Sequence, residues 1–516
     1  APMQIPSPFV SPLLVLAAFA PLAVAQEDAK KSNPPSDFKS LPAHRQIGFD
    51  SIDTAHCRSW LTYLAADELR GRATGTPGYK LAAEFVAERF KEAGLKPVGD
   101  DGTYFQKIPC VTVGPDPDVS YIAVLDSEGN EIMRVAVGKG VGGAITEKSD
   151  AVYELTMLAA KSADDVEGAD VKGKAVLFLD ESPPGRRGTV ASRALMRAQP
   201  GSILAVNDVL CNVVESRVSL GSRSRNRVSA GRFRRPNSYS ISSQVAEKLK
   251  VALQAAGTLR LKTNIVVVER PAFAANVVGL LEGSDPALKN EIVGIGSHLD
   301  HIGARGERIN NGADDDGSGT TGVIAVSRAF GKNPVKPRRS VLFMCFAGEE
   351  RGMIGSGFYA DNPIFPNQEM VVELQMDMIG RNEEFVNRQS GEVTEKASDN
   401  VNTLHLIGSQ KLSEAVHNVC LAMNQDHVGF EFEYDEEDVF YRSDHVKFAQ
   451  KDIPVAFFFT GFHPQYHQPD DTVDRINFPK LTRVAKLVYA IAFEIGDAEE
   501  RPKRDRLWSE VASRRR

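Results

Sequence analysis

Five short segments carry residue types that could share a metal site. The first is Ser297-His-Leu-Asp300, in which Asp300 stands two residues beyond His298 and can accept from one ring nitrogen. Such an acceptor fixes the tautomer of a metal-bound imidazole and raises its basicity. The second is the triplet in Asn310-Asn-Gly-Ala-Asp-Asp-Asp-Gly-Ser-Gly-Thr320. Adjacent acids with no basic neighbour repel one another unless they are solvated or bound to a cation. The flanking glycines permit turns that aim one carboxylate inward. An exposed turn in which Asp316 or Ser318 caps the following helix is the competing account. Third, Phe346-Ala-Gly-Glu-Glu-Arg-Gly352 offers paired glutamates, one able to coordinate and the other to carry a proton for an activated water. A solvated acidic turn explains that pair equally well. Fourth, Asp377 ends an apolar run in Gln375-Met-Asp-Met-Ile-Gly380, where a buried acid needs a compensating charge. Fifth, the loop Gly461-Phe-His-Pro-Gln-Tyr-His-Gln-Pro-Asp-Asp-Thr472 presents His463 and His467, either of which alone suits a solvent-facing position.

Two imidazoles and three carboxylates drawn from these segments form a mixed nitrogen and oxygen donor set that suits zinc, with cobalt or manganese as substitutes. One catalytic zinc normally takes three protein ligands and keeps a position open. Five ligands therefore point to two metals sharing a carboxylate, about 3.5–4 Å apart, an arrangement that activates water and polarises a carbonyl.

The surrounding pattern supplies the elements that must hold these residues. From residue 276 onward, strands and helices alternate: apolar strands over 291–296, 340–346, 371–376 and 454–459, and a helix over 318–330. Alternation of this kind implies an α/β fold, with a mostly parallel mixed sheet sandwiched by helices. In such sheets, ligand sites gather beyond the carboxyl ends of the strands, which is where each candidate lies. Upstream, helical spacing covers 53–64 and 79–93, separated by the turn-rich Arg70-Gly-Arg-Ala-Thr-Gly-Thr-Pro-Gly78. Residues 110–270 differ, with short β-branched runs at 119–125, 174–179, 202–206 and 259–268, and a helix over 244–256. They read as an inserted β-rich domain holding none of the candidate ligands.

The chain has 516 residues, 42% hydrophobic, enough for two or three compact units. Its formal net charge of -7 argues against nucleic acid as the main partner. Val10 to Val24 is apolar and closes on Ala23-Val24-Ala25, the pattern of a signal-peptidase site, although no basic residue precedes Lys30. The expectation is a signal peptide over 1–25 and export to the periplasm or the extracellular space, with no stable membrane insertion after cleavage. A flexible leader is expected over 26–49 and the N-terminal part of the main domain over 50–109. The insert occupies 110–270, the rest of the main domain 271–498, and a solvated basic tail 499–516. Five cysteines without paired spacing exclude a complete disulfide framework, and Cys345 reads as a core residue. The arginines between Arg217 and Arg235 read as a solvated loop, or as a contact for an anionic surface or acidic substrate.

The ordered set His298-Leu-Asp300, Gly312-Ala-Asp-Asp-Asp-Gly-Ser-Gly319, Gly348-Glu-Glu350, Met376-Asp-Met378 and Tyr466-His-Gln-Pro-Asp-Asp-Thr472 resembles the M28 family of zinc aminopeptidases. The likeness runs from about Ser51 to Gly496, and it identifies the β-rich insert with a protease-associated (PA) domain. It implies a zinc exopeptidase-like fold and two Zn2+ per chain, with Asp315 as the bridging ligand. His298 and Asp377 would complete one site, and Glu350 and His467 the other. It further implies that Glu349 is the general base toward a metal-bridging water, that Asp300 supports His298, and that Tyr441 or a neighbour in Tyr441-Arg-Ser-Asp-His445 stabilises the oxyanion. Asp444 and His445 are expected to be supporting residues rather than ligands.

The activity so implied is release of N-terminal residues from peptides or proteins. A carboxypeptidase or dipeptidase is the alternative, and would need a basic pocket that Arg381, Arg442 or the Arg217–Arg235 stretch could supply. A glutaminyl cyclase fits the full ligand set and the Glu349-Glu350 pair poorly. A non-catalytic peptide-binding protein is a further alternative, although such relatives usually lose ligands or the base.

Overall fold

A computed structural model describes residues 38–182, 189–215, 217–220, 236–387, 390–434 and 437–512. The expected signal peptide and most of the Arg217–Arg235 stretch lie outside the described residues. Among the described residues, no helix is long and apolar enough to cross a membrane.

The main domain is built on a nine-stranded mixed sheet. Four neighbouring strands at its centre, Ser340–Phe346, Ile292–His298, Met370–Met376 and Val455–Phe459, run parallel. Ala275–Leu281 pairs antiparallel beyond the first of these, and Thr403–Ile407 beyond the last. These central strands are buried along their whole length, as expected of strands covered on both faces. Alternation then decides which layer each residue joins. Val341, Phe343 and Cys345 enter the core beneath the helices Pro77–Glu92, Gly319–Lys332 and Phe478–Asp497. Leu342, Met344 and Phe346 enter a second core on the other face, with Tyr359 and Phe448.

The helices begin where their sequences provide caps. Asp53 accepts from the His56 N–H at the start of Thr54–Leu64, and Thr76 does so from Tyr79 ahead of Pro77. Asn477 caps the Lys480 N–H of the twenty-residue helix Phe478–Asp497, whose apolar face closes the larger core.

The β-rich insert has its own nine-stranded mixed sheet and its own cores. A three-stranded sheet of Cys110–Pro115, Arg217–Leu220 and Val267–Pro271 brings its entry and exit strands together. The chain thus leaves the main domain and returns at nearly one place, the arrangement an insertion needs.

Two terminal expectations need correction. The stretch 26–49 is not wholly a flexible leader, because Ala43–Ser51 is helical. Arg45 pairs with Glu494 at 2.9 Å and Asp497 at 2.7 Å, while the Gly48 N–H donates to Asn333. The tail 499–516 is not simply solvated either. Arg501 donates to the carbonyls of Gln368 and Met370, Asp505 N–H donates to Leu412, and Trp508 packs beside Phe440 and Tyr441. Net basicity conceals one aromatic anchor. Trp508→Ala should lower unfolding stability by about 1–2 kcal/mol, read from the urea midpoint; an unchanged midpoint would show that the segment is not docked.

Candidate metal centre

His298 is the last residue of its strand, so its buried ring emerges at the carboxyl edge of the sheet. Its Nδ1 lies 3.0 Å from the backbone carbonyl of Asp300. A carbonyl only accepts, so Nδ1 carries the hydrogen and Nε2 is left as the donor atom toward the cluster. The expected role of the Asp300 side chain is thereby corrected. Its carboxylate is 3.9 Å from Nδ1 and instead accepts the backbone N–H of Glu349 at 3.0 Å. The chain turns after Leu299, so the main chain of Asp300 supports the imidazole and its side chain holds the glutamate turn.

The acidic triplet divides its labour by hydrogen bonding. Asp316 accepts from the N–H groups of His298 (3.1 Å), Gly319 (2.8 Å) and Met378 (3.1 Å). Three segments of the site are tied to one side chain, which also caps the helix Gly319–Lys332. Asp314 accepts from the Gly380 N–H at 2.7 Å. Asp471 accepts from the backbone N–H groups of Asp314 and Asp315. Only Asp315 keeps its carboxylate for the centre. Its Oδ1 is 3.2 Å from His298 Nε2, and its Oδ2 is 3.0 Å from His467 Nε2. Asp377 Oδ1 adds to the His298 side at 3.5 Å, with its other oxygen accepting from Ser443. Glu350 Oε1 adds to the His467 side at 3.2 Å.

Of the two loop histidines, His467 enters this cluster, while His463 is buried 3.4 Å from Asp314. The loop is held from behind by Glu383, which accepts the Phe462 N–H at 3.3 Å and pairs with His405 at 2.9 Å. Arg72, from the turn-rich N-terminal segment, is fully buried and donates to the carbonyls of Leu64, Leu299, Asn311 and Gly312. One guanidinium thereby joins the N-terminal helix to the loops that follow His298 and precede Asp315.

Tyr441 does not reach the pocket beside the cluster; it packs against Phe440 and Trp508. Tyr466 lines that pocket instead, its ring stacked 3.9 Å from that of His467 and its hydroxyl accepting from Arg442 at 3.3 Å. The available signal for it was its place directly before His467, a candidate ligand. His301 was also passed over in the sequence. Its Nδ1 is 2.9 Å from Glu350 Oε1 and 3.7 Å from Asp315 Oδ2. Its spacing after a strand-end histidine was the available clue. Asp444 is buried and accepts from Ser356, which leaves it a supporting residue.

Two groups of donor atoms therefore meet at Asp315: His298, Asp315 and Asp377 on one side, and His301, Asp315, Glu350 and His467 on the other. Asp315 Oδ2, Glu350 Oε1 and both nitrogens of His301 are buried and make no hydrogen bond. Buried polar atoms are rarely left so, and carboxylates in this state need a cation. The residues fit a two-metal site. Burial opposes the charged form of His467, but Asp315 and Glu350 outweigh it and hold the imidazole up to about 10. His298 is held well above its usual range in the same way, against its burial, by Asp377 and Asp315. Without metal His467 carries a proton at pH 7, and a ligating imidazole must be neutral. Zinc loading at pH 7 should therefore release protons, and affinity should rise with pH through neutrality. Calorimetric titration in buffers of different ionisation enthalpy measures this; heats independent of the buffer would contradict it.

Residues 276–492 match the model of peptidase family M28. The chain is 25% identical over 238 residues to the aminopeptidase YwaD of Bacillus subtilis (strain 168), covering 44% of this chain and 46% of that protein. It is 25% identical over 222 residues to a probable leucine aminopeptidase of Trichophyton verrucosum (strain HKI 0517), covering 41% and 56%. The chain thus spans about half the length of these curated relatives. Its fold resembles that of BSAP, a zinc aminopeptidase from Bacillus subtilis, with a TM-score of 0.53 at 18% identity, covering 89% of this chain and 98% of that one. Residues 276–492 thus carry an M28 peptidase region, which follows the β-rich insert.

Proposed function

We propose that the protein is a two-zinc aminopeptidase that removes N-terminal residues from peptides. The observation that carries this reading is the single carboxylate of Asp315, whose two oxygens face two separate donor groups. Zinc held there would polarise the scissile carbonyl and lower the pKa of an attacking water.

The chain's own residues supply the remaining parts. Glu349 lines the pocket next to His298 and Asp377 without belonging to either donor group. Burial, reinforced by Asp444 and Asp377 and opposed by His298, pushes its carboxyl well above the usual range. A carboxyl so placed can take the proton of the attacking water and pass it to the leaving amine. Tyr466 can donate its hydroxyl hydrogen to the oxygen that gains charge as the carbonyl becomes tetrahedral.

Met378, Val439, Phe457, Phe459 and Phe462 stand around the small pocket beside Glu349, which supports an apolar N-terminal side chain such as leucine as the preferred one. Arg442 lines the same pocket, which is the observation favouring a carboxypeptidase, but it is engaged by Tyr466 and lies 4.7 Å over the Phe462 ring. Arg381 is buried and donates to Gln465, away from the lining. The apolar Val10 to Val24 segment with its Ala23-Val24-Ala25 ending supports export as the setting of this activity.

Zinc-loaded protein should hydrolyse leucyl p-nitroanilide in a chelator-sensitive manner and leave N-acetylated peptides with free carboxyl ends intact. Glu349→Gln should cut kcat about 10²–10⁴-fold with metal content unchanged. Activity confined to the blocked peptides would establish the carboxypeptidase, and full activity in Glu349→Gln with metals bound would remove Glu349 as the base.

A further inference from the structure

We propose that His301 is a protein ligand to one of the two metals, so that the centre is built from unequal halves. One half, His301, Asp315, Glu350 and His467, is closed by four protein donors; the other, His298, Asp315 and Asp377, is open with three. The inference rests on the two-metal reading and deepens it.

His301 is 1% exposed, and neither ring nitrogen makes a hydrogen bond. A buried imidazole in that condition is costly unless something other than a hydrogen bond engages it. Its Nδ1 is 2.9 Å from Glu350 Oε1, close enough for a hydrogen bond, yet the directions do not allow one. Short approach with the wrong direction is what two ligands of a common ion show. Zinc bonds of about 2.0–2.1 Å spread tetrahedrally leave neighbouring donor atoms roughly 3.3 Å apart. The other edges of the group fit that spacing: 3.0 Å from His467 Nε2 to Asp315 Oδ2, 3.2 Å from His467 Nε2 to Glu350 Oε1, and 3.7 Å from His301 Nδ1 to Asp315 Oδ2. Three of the four donor atoms, His301 Nδ1, Asp315 Oδ2 and Glu350 Oε1, lack hydrogen-bond partners.

The backbone is shaped around this ring. Gly312 has φ +59°, and a Cβ there would lie 2.5 Å from Cγ and 2.6 Å from Cδ2 of His301. The glycine that turns the chain toward Asp315 thus also leaves room for the imidazole. Arg72 holds both sides of the cradle, through the carbonyls of Leu299 and Gly312. A closed tetrahedral set is the pattern of a firmly held metal, whereas three protein ligands leave a position for water or substrate. The His301 half therefore fills first and retains its ion. The His298 half, beside Glu349 and the pocket, fills second and exchanges more readily.

The test is a structure of the zinc-loaded wild-type protein with anomalous scattering at the zinc edge, paired with titration of chelator-stripped protein against a chromophoric zinc chelator. Expected are two peaks, with His301 Nδ1 about 2.0–2.1 Å from one of them, and two unequal affinities in the titration. In His301→Gln the tighter constant should weaken by more than about 100-fold, beyond the roughly 10–100-fold that a residue merely supporting a ligand is worth. Two peaks with His301 Nδ1 more than about 3 Å from both would overturn the inference and leave the two-metal reading standing. A single peak at saturating zinc would overturn that reading, and the unequal pair with it.

Discussion

Everything at this centre depends on keeping a crowd of carboxylates out of water at one edge of a sheet. Asp300, Asp314, Asp315, Asp316, Asp377, Asp444 and Asp471 are all buried there. Unscreened like charges in such a place are unfavourable unless each finds donors or a cation. The fold answers in two ways. Some acids are spent on backbone N–H groups, as Asp316 is on three and Asp471 on the two N–H groups behind Asp315. Charge-assisted bonds of this kind are strong and directional, so they position the loops. The acids left over face imidazoles across a space that suits metal ions.

That division explains why neighbouring residues of one type behave differently. Asp314, Asp315 and Asp316 are chemically identical in sequence, and the carboxylates on either side accept from the Gly380, His298, Gly319 and Met378 N–H groups. The middle one is exempt and faces both donor groups. Glu349 and Glu350 divide in the same way, since only Glu350 approaches His467 and His301. Arg72 adds a buried positive charge nearby without pairing with a carboxylate, because all its bonds go to carbonyls. Its charge eases the repulsion while its geometry fixes two loops.

Much of this was legible in the sequence, for identifiable reasons. Fully buried parallel strands are continuous apolar runs, so 340–346 and 371–376 stood out, and the structure has Ser340–Phe346 and Met370–Met376. A candidate ligand at a strand end inherits that legibility, as His298 and Asp377 do. Choices within a loop do not. Selecting Asp315 from its triplet, or His467 over His463, depended on family likeness, because local sequence does not record which N–H groups a carboxylate will meet. Tyr441 and Asp300 were misassigned for a related reason. Each lies next to residues that matter, but the turn of the chain sends the Tyr441 ring toward Trp508 and the Asp300 carboxylate toward the Glu349 N–H. His301 carried no visible sign of burial, and the docked C-terminal segment was masked by its basic composition.

Asp315 faces both halves of the centre at once. Zinc per chain, measured by elemental analysis after gel filtration, tests it most directly when wild type, Asp315→Ala and Asp377→Ala are compared. Expected are about two zinc ions per chain in wild type, at most one weakly held ion in Asp315→Ala, and one firmly held ion in Asp377→Ala. An Asp315→Ala protein that is folded and still holds one zinc as tightly as Asp377→Ala does would contradict the shared carboxylate.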